Sequence, residues 1–461
     1  MLRAGSPRHP PRADAPRAAT TWVAVFGVAL VLRVVYAWLA IGPGATPSSD
    51  PATYDTVAWN LARGAGFSLD SATGPYPTAF VPPLVPWITS LLYRAVGHQY
   101  FAAVLLQCVA GALVPLLLAA LGGALFGSTV GRWSAWLAAV HPLLVFFSGY
   151  LLTESMFCAT LLLALLLSVD WVRTPRAGRA LGAGLAWGVA ALTRPTALPM
   201  PLIVALWAWS PLGLTIGARG RLRHLVLLLF GLVLVVGPWT TRNAIALRAF
   251  VPVTTGAGGA LMVANNPATW DARSARGGAS STSYRAALAG EFRGLNEVEL
   301  DLRARERTWA FMRARAGEWP GVALAKIARF WRLGAEGGGT GAWQRPGSPL
   351  APLRRLDPLL VWSVITLPLA LWGVVRVIRG ARRWFQALPL LVIVYFTLVA
   401  VVFFGSLRMR VPIEPLVVLF VALGIEEARR VLRTRTRGLR VVPGGRGASP
   451  GRPAGGGVSA R

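Results

Sequence analysis

Apolar residues run in long blocks separated by short polar stretches, and this pattern sets the reading of the chain. Blocks rich in Leu, Val, Ala, Phe and Trp lie at about 20–41, 99–126, 130–148, 150–172, 178–193, 196–211, 222–240, 358–378, 384–404 and 411–428. Several reach the roughly 18 residues that a helix needs to cross a hydrocarbon core of about 30 Å. No water is available there to satisfy the backbone, so continuous blocks of this length predict helices. The expected fold is an all-α polytopic membrane protein with about 10 transmembrane helices. The first block holds Arg33 and exceeds the apolar core, about 7–15 residues, of a cleaved signal peptide. A retained helix with Arg33 facing other helices is expected. The stretch 82–97 reads as an eleventh span or an interfacial helix.

Two segments between blocks are long. One, 42–98, is rich in Pro, Gly and aromatics; the other, 241–356, is long enough for a small, mostly helical cap. Within the second, Asn296 followed by Glu299 predicts a capping box opening an amphipathic helix to about Ala316. Pro320 then opens another helix through Lys326 to Arg332. The organisation expected is a Pro/Arg-rich tail 1–19, a transmembrane module 20–240 containing the loop 42–98, the cap 241–356, transmembrane helices 357–428 and a basic tail 429–461. Its last 20 residues have the Gly/Pro/Arg-rich composition of a disordered segment. No internal repeat is visible, which weighs against an inverted-repeat transporter.

Composition narrows the functional classes. Only 14% of the 461 residues are charged, against about a quarter in a soluble domain. The net charge of +29 comes from 46 Arg and one Lys, Lys326. These residues lie mostly between apolar blocks rather than on one soluble face, so no nucleic-acid partner is expected. Cys108 and Cys158 fall inside apolar blocks, and the four His have no ligand spacing, which argues against a disulfide framework and a zinc or haem site. With both termini cytoplasmic, the cytoplasmic pieces carry 24 Arg and the short loops on the other side five, as the positive-inside rule asks. This topology puts 42–98 and the cap outside the cell membrane.

With only 18 acidic residues, each carboxylate near the membrane is informative. Asp50, Asp55 and Asp70 follow the first span on the outer side, and Glu154 begins the fourth. Asp50 and Glu154 can therefore meet in one cavity, where carboxylates near lipid are functional suspects. The alternatives are that Asp50 only caps a helix 51–63, with Pro51 at its first position, and that Glu154 is an Arg-paired interfacial residue. Arg194, Arg242, Arg408 and Arg410 also end spans on the outer side, where topology does not ask for them. Arginine's planar fork suits phosphate, although a single Arg there often only snorkels to headgroups. Together these residues suit an anionic, lipid-borne substrate.

Six segments resemble, in order, the motifs of GT-C membrane glycosyltransferases. They are Asp50-Pro51-Ala52-Thr53-Tyr54 running on to Gly64-Ala65-Gly66-Phe67; Phe80-Val81-Pro82-Pro83-Leu84; Ser148-Gly149-Tyr150-Leu151-Leu152-Thr153-Glu154; Leu192-Thr193-Arg194-Pro195; Pro238-Trp239-Thr240-Thr241-Arg242-Asn243 with Ala264-Asn265-Asn266-Pro267; and Arg408-Met409-Arg410-Val411-Pro412-Ile413-Glu414-Pro415. The resemblance covers about 22–425 and is to the protein O-mannosyltransferase and aminoarabinose-transferase type, grouped with the RgtA/B/C/D-like domain. Val85 and Met409 stand where the family usually has Tyr, departures that bear on substrate contacts rather than on the fold.

The resemblance implies transfer of a sugar from a polyprenyl-phosphate carrier to a protein, lipid or glycan acceptor outside the membrane. It implies Asp50 as the catalytic carboxylate, Glu154 as its partner, and Arg242, Arg408 and Arg410, with Tyr54, around the donor phosphate; Arg194 joins them or only makes a turn before Pro195. Lys326, in the external cap, is expected either to close over that phosphate or to be an exposed helix residue beside Trp331. No cofactor is required, while the resemblance leaves room for a divalent cation between phosphate and Asp50. The alternative reading is a transporter or flippase of a lipid-linked sugar, whose ionisable residues belong near the membrane midplane.

Overall fold

The computed structural model describes residues 15–210, 214, 216–331, 358–381 and 383–439. Most of the expected N-terminal tail, the cap segment 332–356 and the tail beyond 439 lie outside the described residues.

Helix α1 (Ala15–Ala40) is followed by the short helix α2 (Asp50–Ala62), an antiparallel hairpin of β1 (Ser68–Ser71) and β2 (Gly74–Pro77), and helix α3 (Leu84–Val96). The hairpin register pairs Ser68 with Pro77 and Ser71 with Gly74. Helix α3 buries Val85, Thr89 and Tyr93 and exposes Trp87, Leu91 and Val96. Its 13 residues reach only about 20 Å, so it is too short to cross the hydrocarbon and suits the interfacial alternative.

Helix α4 (Tyr100–Phe126) leads to α5 (Ser128–Ala139) and α6 (Pro142–Ser148), which meet at a 54° bend. Pro142 supplies no backbone donor, and His141 Nδ1 accepts from the Leu143 N–H at 3.2 Å. The carbonyls freed at the end of α5 are taken by Arg33, completely buried, which donates to Ala139 O at 3.1 Å and Ala138 O at 3.4 Å. The expected inward orientation of Arg33 holds, and the guanidinium satisfies a break in a neighbouring helix.

Helices α7 (Glu154–Arg173), α8 (Ala177–Thr193), α9 (Met200–Ala208) and α10 (Ala218–Leu247) complete the first bundle. α8 and α10 touch through glycines. A Cβ on Gly184 would lie 2.0 Å from Leu228 O, and one on Gly231 2.6 Å from Leu181 O. Small residues give membrane helices this close approach.

The cap contributes α11 (Ala257–Ala264), α12 (Pro267–Trp270), α13 (Thr282–Ala289), α14 (Glu297–Ala314) and α15 (Trp319–Phe330). Asn296 accepts from the Val298 and Glu299 N–H groups at 3.0 Å each and Glu299 reaches back to Asn296 N, the capping box read from the sequence. The C-terminal part holds α16 (Pro358–Arg379), α17 (Arg383–Gln386), α18 (Leu388–Val402), α19 (Leu407–Arg410) and α20 (Glu414–Leu439). α16 and α20 again meet through glycines: a Cβ on Gly373 would lie 2.2 Å from Phe420 O.

Helices occupy all ten expected positions, and the protein is a helical polytopic membrane protein. Among the described residues, five helices are long and apolar enough to cross by themselves, or six with the bent α5–α6 pair. α8 and α18, with 17 and 15 residues, fall below that length, so the expected ten is not reached on length and apolarity alone.

Candidate active site

Four charged residues from four separated segments meet at one end of the bundle. Asp50 opens α2, Glu154 opens α7, Arg194 follows the end of α8, and Arg408 sits in the one-turn helix α19. Arg408 bridges the two carboxylates. Its Nε donates to Glu154 Oε1 at 2.5 Å, and its Nη1 donates to Asp50 Oδ2. Arg194 Nη1 approaches the same Glu154 oxygen at 3.6 Å, while Nη2 donates to the Met409 sulfur at 3.4 Å. Glu154 is fully buried and Asp50 is more than half exposed.

Asp50 does not cap its helix. Ser49 occupies the cap position with φ 55° and no side-chain cap bond, Asp50 is the first helical residue, and Pro51 follows. The capping alternative is therefore set aside: the Asp50 carboxylate is directed to Arg408. Glu154 lies in the first turn of α7, where the exposed N–H dipoles favour an anion.

Electrostatics distinguishes the two arginines. Burial opposes the charge of Arg408, but the Glu154 and Asp50 carboxylates outweigh it and hold its pKa above the ordinary arginine value. Burial lowers the pKa of Arg194 against the pull of Glu154. Burial also raises the pKa of the Tyr54 phenol, which stays neutral beside the cluster. Glu154 Oε2 and Arg194 Nη1 are buried with no hydrogen-bond partner among the described residues. Such groups are uncommon in folded interiors, and each calls for an explanation.

Asp50, Tyr54, Arg194 and Arg408 line a cavity of about 320 Å³, closed by Phe80, Pro82, Phe403 and Phe404. The remaining expected residues are not on it. Arg242 pins the hairpin to α10: it donates to Thr78 O and Phe67 O at 2.6 Å each, and its guanidinium lies 4.9 Å from the Trp239 ring centroid. Arg410 is buried against Glu414 at 2.5 Å and lies over Trp331, and Glu414 in turn meets His141 at 3.2 Å. Lys326 is fully buried, donating to Asn265 Oδ1 at 2.7 Å and Val401 O at 3.0 Å, and burial lowers its pKa to about 7. It ties the cap to the end of α18 rather than closing over the cavity.

Among the described residues no group of three or more His, Cys, Asp or Glu has the arrangement of a metal site. Asp50 is the one carboxylate on the cavity wall, and one of its oxygens is held by Arg408. That donor set does not make a resident cation site.

Sequence reasoning missed the hydroxyls of Thr53, Thr153 and Thr196, which also line the cavity. Each lies within three residues of Asp50, Glu154 or Arg194, and that adjacency was the available signal. Thr254, Phe403 and Phe404 reach the wall by tertiary folding alone.

The family model for dolichyl-phosphate-mannose-protein mannosyltransferases matches residues 81–240, about a third of the chain. No curated protein sequence matches it. The archaeal oligosaccharyltransferase AglB from Archaeoglobus fulgidus, in complex with an inhibitory peptide and a dolichol-phosphate, superposes with a TM-score of 0.56 at 12% identity, over 94% of this chain and 52% of that one. Its apo form gives 0.52 at 14% identity, over 93% and 52%. The chain spans about half the length of the oligosaccharyltransferase it matches. Its fold is the GT-C fold of membrane glycosyltransferases, as the sequence motifs led one to expect.

Proposed function

We propose that the protein is a glycosyltransferase that takes a hexosyl or pentosyl group from a polyprenyl-phosphate-linked sugar and transfers it to a protein, lipid or glycan acceptor at the outer face of the cell membrane. The observation that carries this reading is the convergence of Asp50, Arg194 and Arg408 on one cavity, with the buried Glu154 bonded to Arg408 and beside Arg194. The family match and the fold likeness support it.

The cluster balances two carboxylates against two guanidinium groups. A donor phosphodiester entering the cavity competes with Asp50 for the fork of Arg408, and that exchange frees Asp50. Asp50 then accepts the proton of the acceptor hydroxyl or amine as the acceptor attacks the anomeric carbon. The bond from that carbon to the phosphate oxygen breaks on the opposite side, so the reaction inverts in one displacement. The negative charge lost at Asp50 reappears on the departing phosphate, beside Arg408 and Arg194, where preformed positive charge is most effective. Glu154 holds both guanidinium groups in place. No step needs a cofactor.

The test is transfer of labelled sugar from polyprenyl-phosphate donors by the purified protein and its Asp50→Asn variant. Asn keeps the shape but takes no proton at neutral pH, so transfer is expected to fall about 10²-fold or more with unchanged melting. Full activity in Asp50→Asn overturns the reading. Movement of the labelled lipid across a vesicle with no glycosylated product establishes the transporter alternative. Reporter fusions at Gly278 and after Arg440 are expected on opposite sides of the membrane.

A further inference from the structure

A second, larger cavity of about 630 Å³ opens beside the first, and the two share Phe80 and Gly256. The chain segments carrying Phe80 and Gly256 are tied together by their neighbours. Glu297 accepts from Thr78 Oγ1 at 2.5 Å, the Ala79 N–H at 2.9 Å and Thr255 Oγ1 at 2.5 Å. The Thr255 N–H donates to Ala79 O at 3.1 Å. One carboxylate therefore joins the segment after β2 to the segment entering α11.

Beyond the partition the wall includes Tyr76, Phe80, Tyr284, Arg248 and Asn296. Tyr76 and Arg248 are exposed and Tyr284 is half-buried, so their polar groups are open to a ligand. Arg248 is also held at φ 52°, in the left-handed region. Only one other non-glycine residue among those described shares that conformation, Ser49, next to Asp50 on the first cavity. Arg248 is the C-cap of α10, where a left-handed residue ends the helix.

We propose that this second cavity binds the acceptor, that the acceptor is a saccharide, and that its hydroxyl reaches Asp50 across Phe80 and Gly256. This rests on the transfer reading and supplies the acceptor class that the reading leaves open. Aromatic faces stack on the C–H face of a sugar ring, and amphipathic tyrosines add a hydroxyl at its edge. The Asn296 amide and the Arg248 fork supply directional donors for ring hydroxyls or for an acidic substituent. The volume falls within the range of about 300–1,000 Å³ usual for small-molecule sites. A lipid chain in the same place would leave two phenols and a guanidinium without partners.

The test needs no donor. The full-length protein in detergent is mixed with methyl glucoside, methyl mannoside and methyl glucuronide, and contact is read by saturation-transfer NMR and titration. At least one glycoside is expected to receive saturation at its ring protons, and saturating polyprenyl phosphate should not displace it. Tyr76→Ala and Arg248→Asn are expected to weaken binding about tenfold each, the loss of one good contact. Asn tolerates the left-handed backbone, so Arg248→Asn tests the side chain rather than the fold. Preferential weakening of the glucuronide by Arg248→Asn assigns that arginine to an acidic group, and equal weakening assigns it to hydroxyls. No saturation of any glycoside, binding unchanged in both variants, or contact made only by a Ser/Thr peptide overturns the proposal. Polyprenyl-phosphate binding is measured separately on the same samples. Its loss with glycoside binding intact counts against the transfer reading, and the reverse pattern counts against this inference alone.

Discussion

Replacing Arg408 with Met removes the one group that touches both carboxylates, and the structure sets the size of the effect. Glu154 is wholly buried and loses its 2.5 Å partner, keeping only Arg194 at 3.6 Å. A buried charge left without its partner costs about 3–5 kcal/mol. Asp50 is more than half exposed and adds little. The expected destabilisation is therefore about 3–5 kcal/mol.

The double variant Arg408→Met/Glu154→Gln carries no stranded charge and should recover most of the stability. It should recover none of the transfer, because the phosphate ligand is still missing. The assay is thermal melting in fixed detergent between pH 5 and 8, paired with donor KM and kcat. Wild-type melting in Arg408→Met, or no recovery of stability in the double variant, refutes the electrostatic account. Restored transfer in the double variant refutes the phosphate role.

Other residues divide in the same way between chemistry and architecture. Asp55→Asn weakens a buried carboxylate bonded to the Tyr93 hydroxyl and to His98 Nε2 at 2.9 Å, so melting should fall by about 1–3 kcal/mol while transfer persists, the reverse of Asp50→Asn. Arg242→Lys keeps the charge but gives up the fork that holds Thr78 O and Phe67 O, so it should lower stability by about 2–3 kcal/mol and leave donor KM unchanged. A raised donor KM at wild-type melting would return Arg242 to the phosphate site. Lys326, with its pKa lowered to about 7 in the fold, binds fewer protons there than in the unfolded chain. Stability should therefore rise with pH above about 7 toward about 10.5, by up to about 1.4 kcal/mol per unit, and Lys326→Met should remove that slope. Equal pH–melting slopes in the two proteins would show that Lys326 does not carry it.

The legibility of the fold follows from how its information is stored. Apolar block length is local, so helices are found at all ten expected positions, and the Asn296–Glu299 box is found as read. The Arg33 orientation was legible for a similar reason, since a guanidinium in an apolar block has few places to go. The site was half legible. Asp50, Glu154, Arg194 and Arg408 converge, whereas Arg242, Arg410 and Lys326 were grouped with them only because each is a cation near the same end of the bundle. What separates the two sets is their partners. Arg242 meets backbone carbonyls from the hairpin, Arg410 meets a glutamate one turn along its own chain, and Lys326 meets the carbonyls that end α18. None of these partners has a marker in the sequence, because a carbonyl looks the same at every position.

The departure at Met409 shows how the site depends on such partners. Arg194 holds one nitrogen 3.6 Å from Glu154 and places another 3.4 Å from the Met409 sulfur. A thioether is a weak acceptor, so that contact does little to fix the guanidinium. Burial meanwhile works against its charge, and Arg194 Nη1 has no hydrogen-bond partner. Arg408, by contrast, is held by two carboxylates at once. A phosphate entering the cavity must displace Asp50 to engage Arg408 but displaces almost nothing to engage Arg194. On the proposed transfer mechanism, Arg194 is the first point of capture and Arg408 the second, and the second contact is the one that releases Asp50 for proton transfer. On that mechanism, coupling the base to the filling of the phosphate site keeps Asp50 neutralised by Arg408 until a donor is bound.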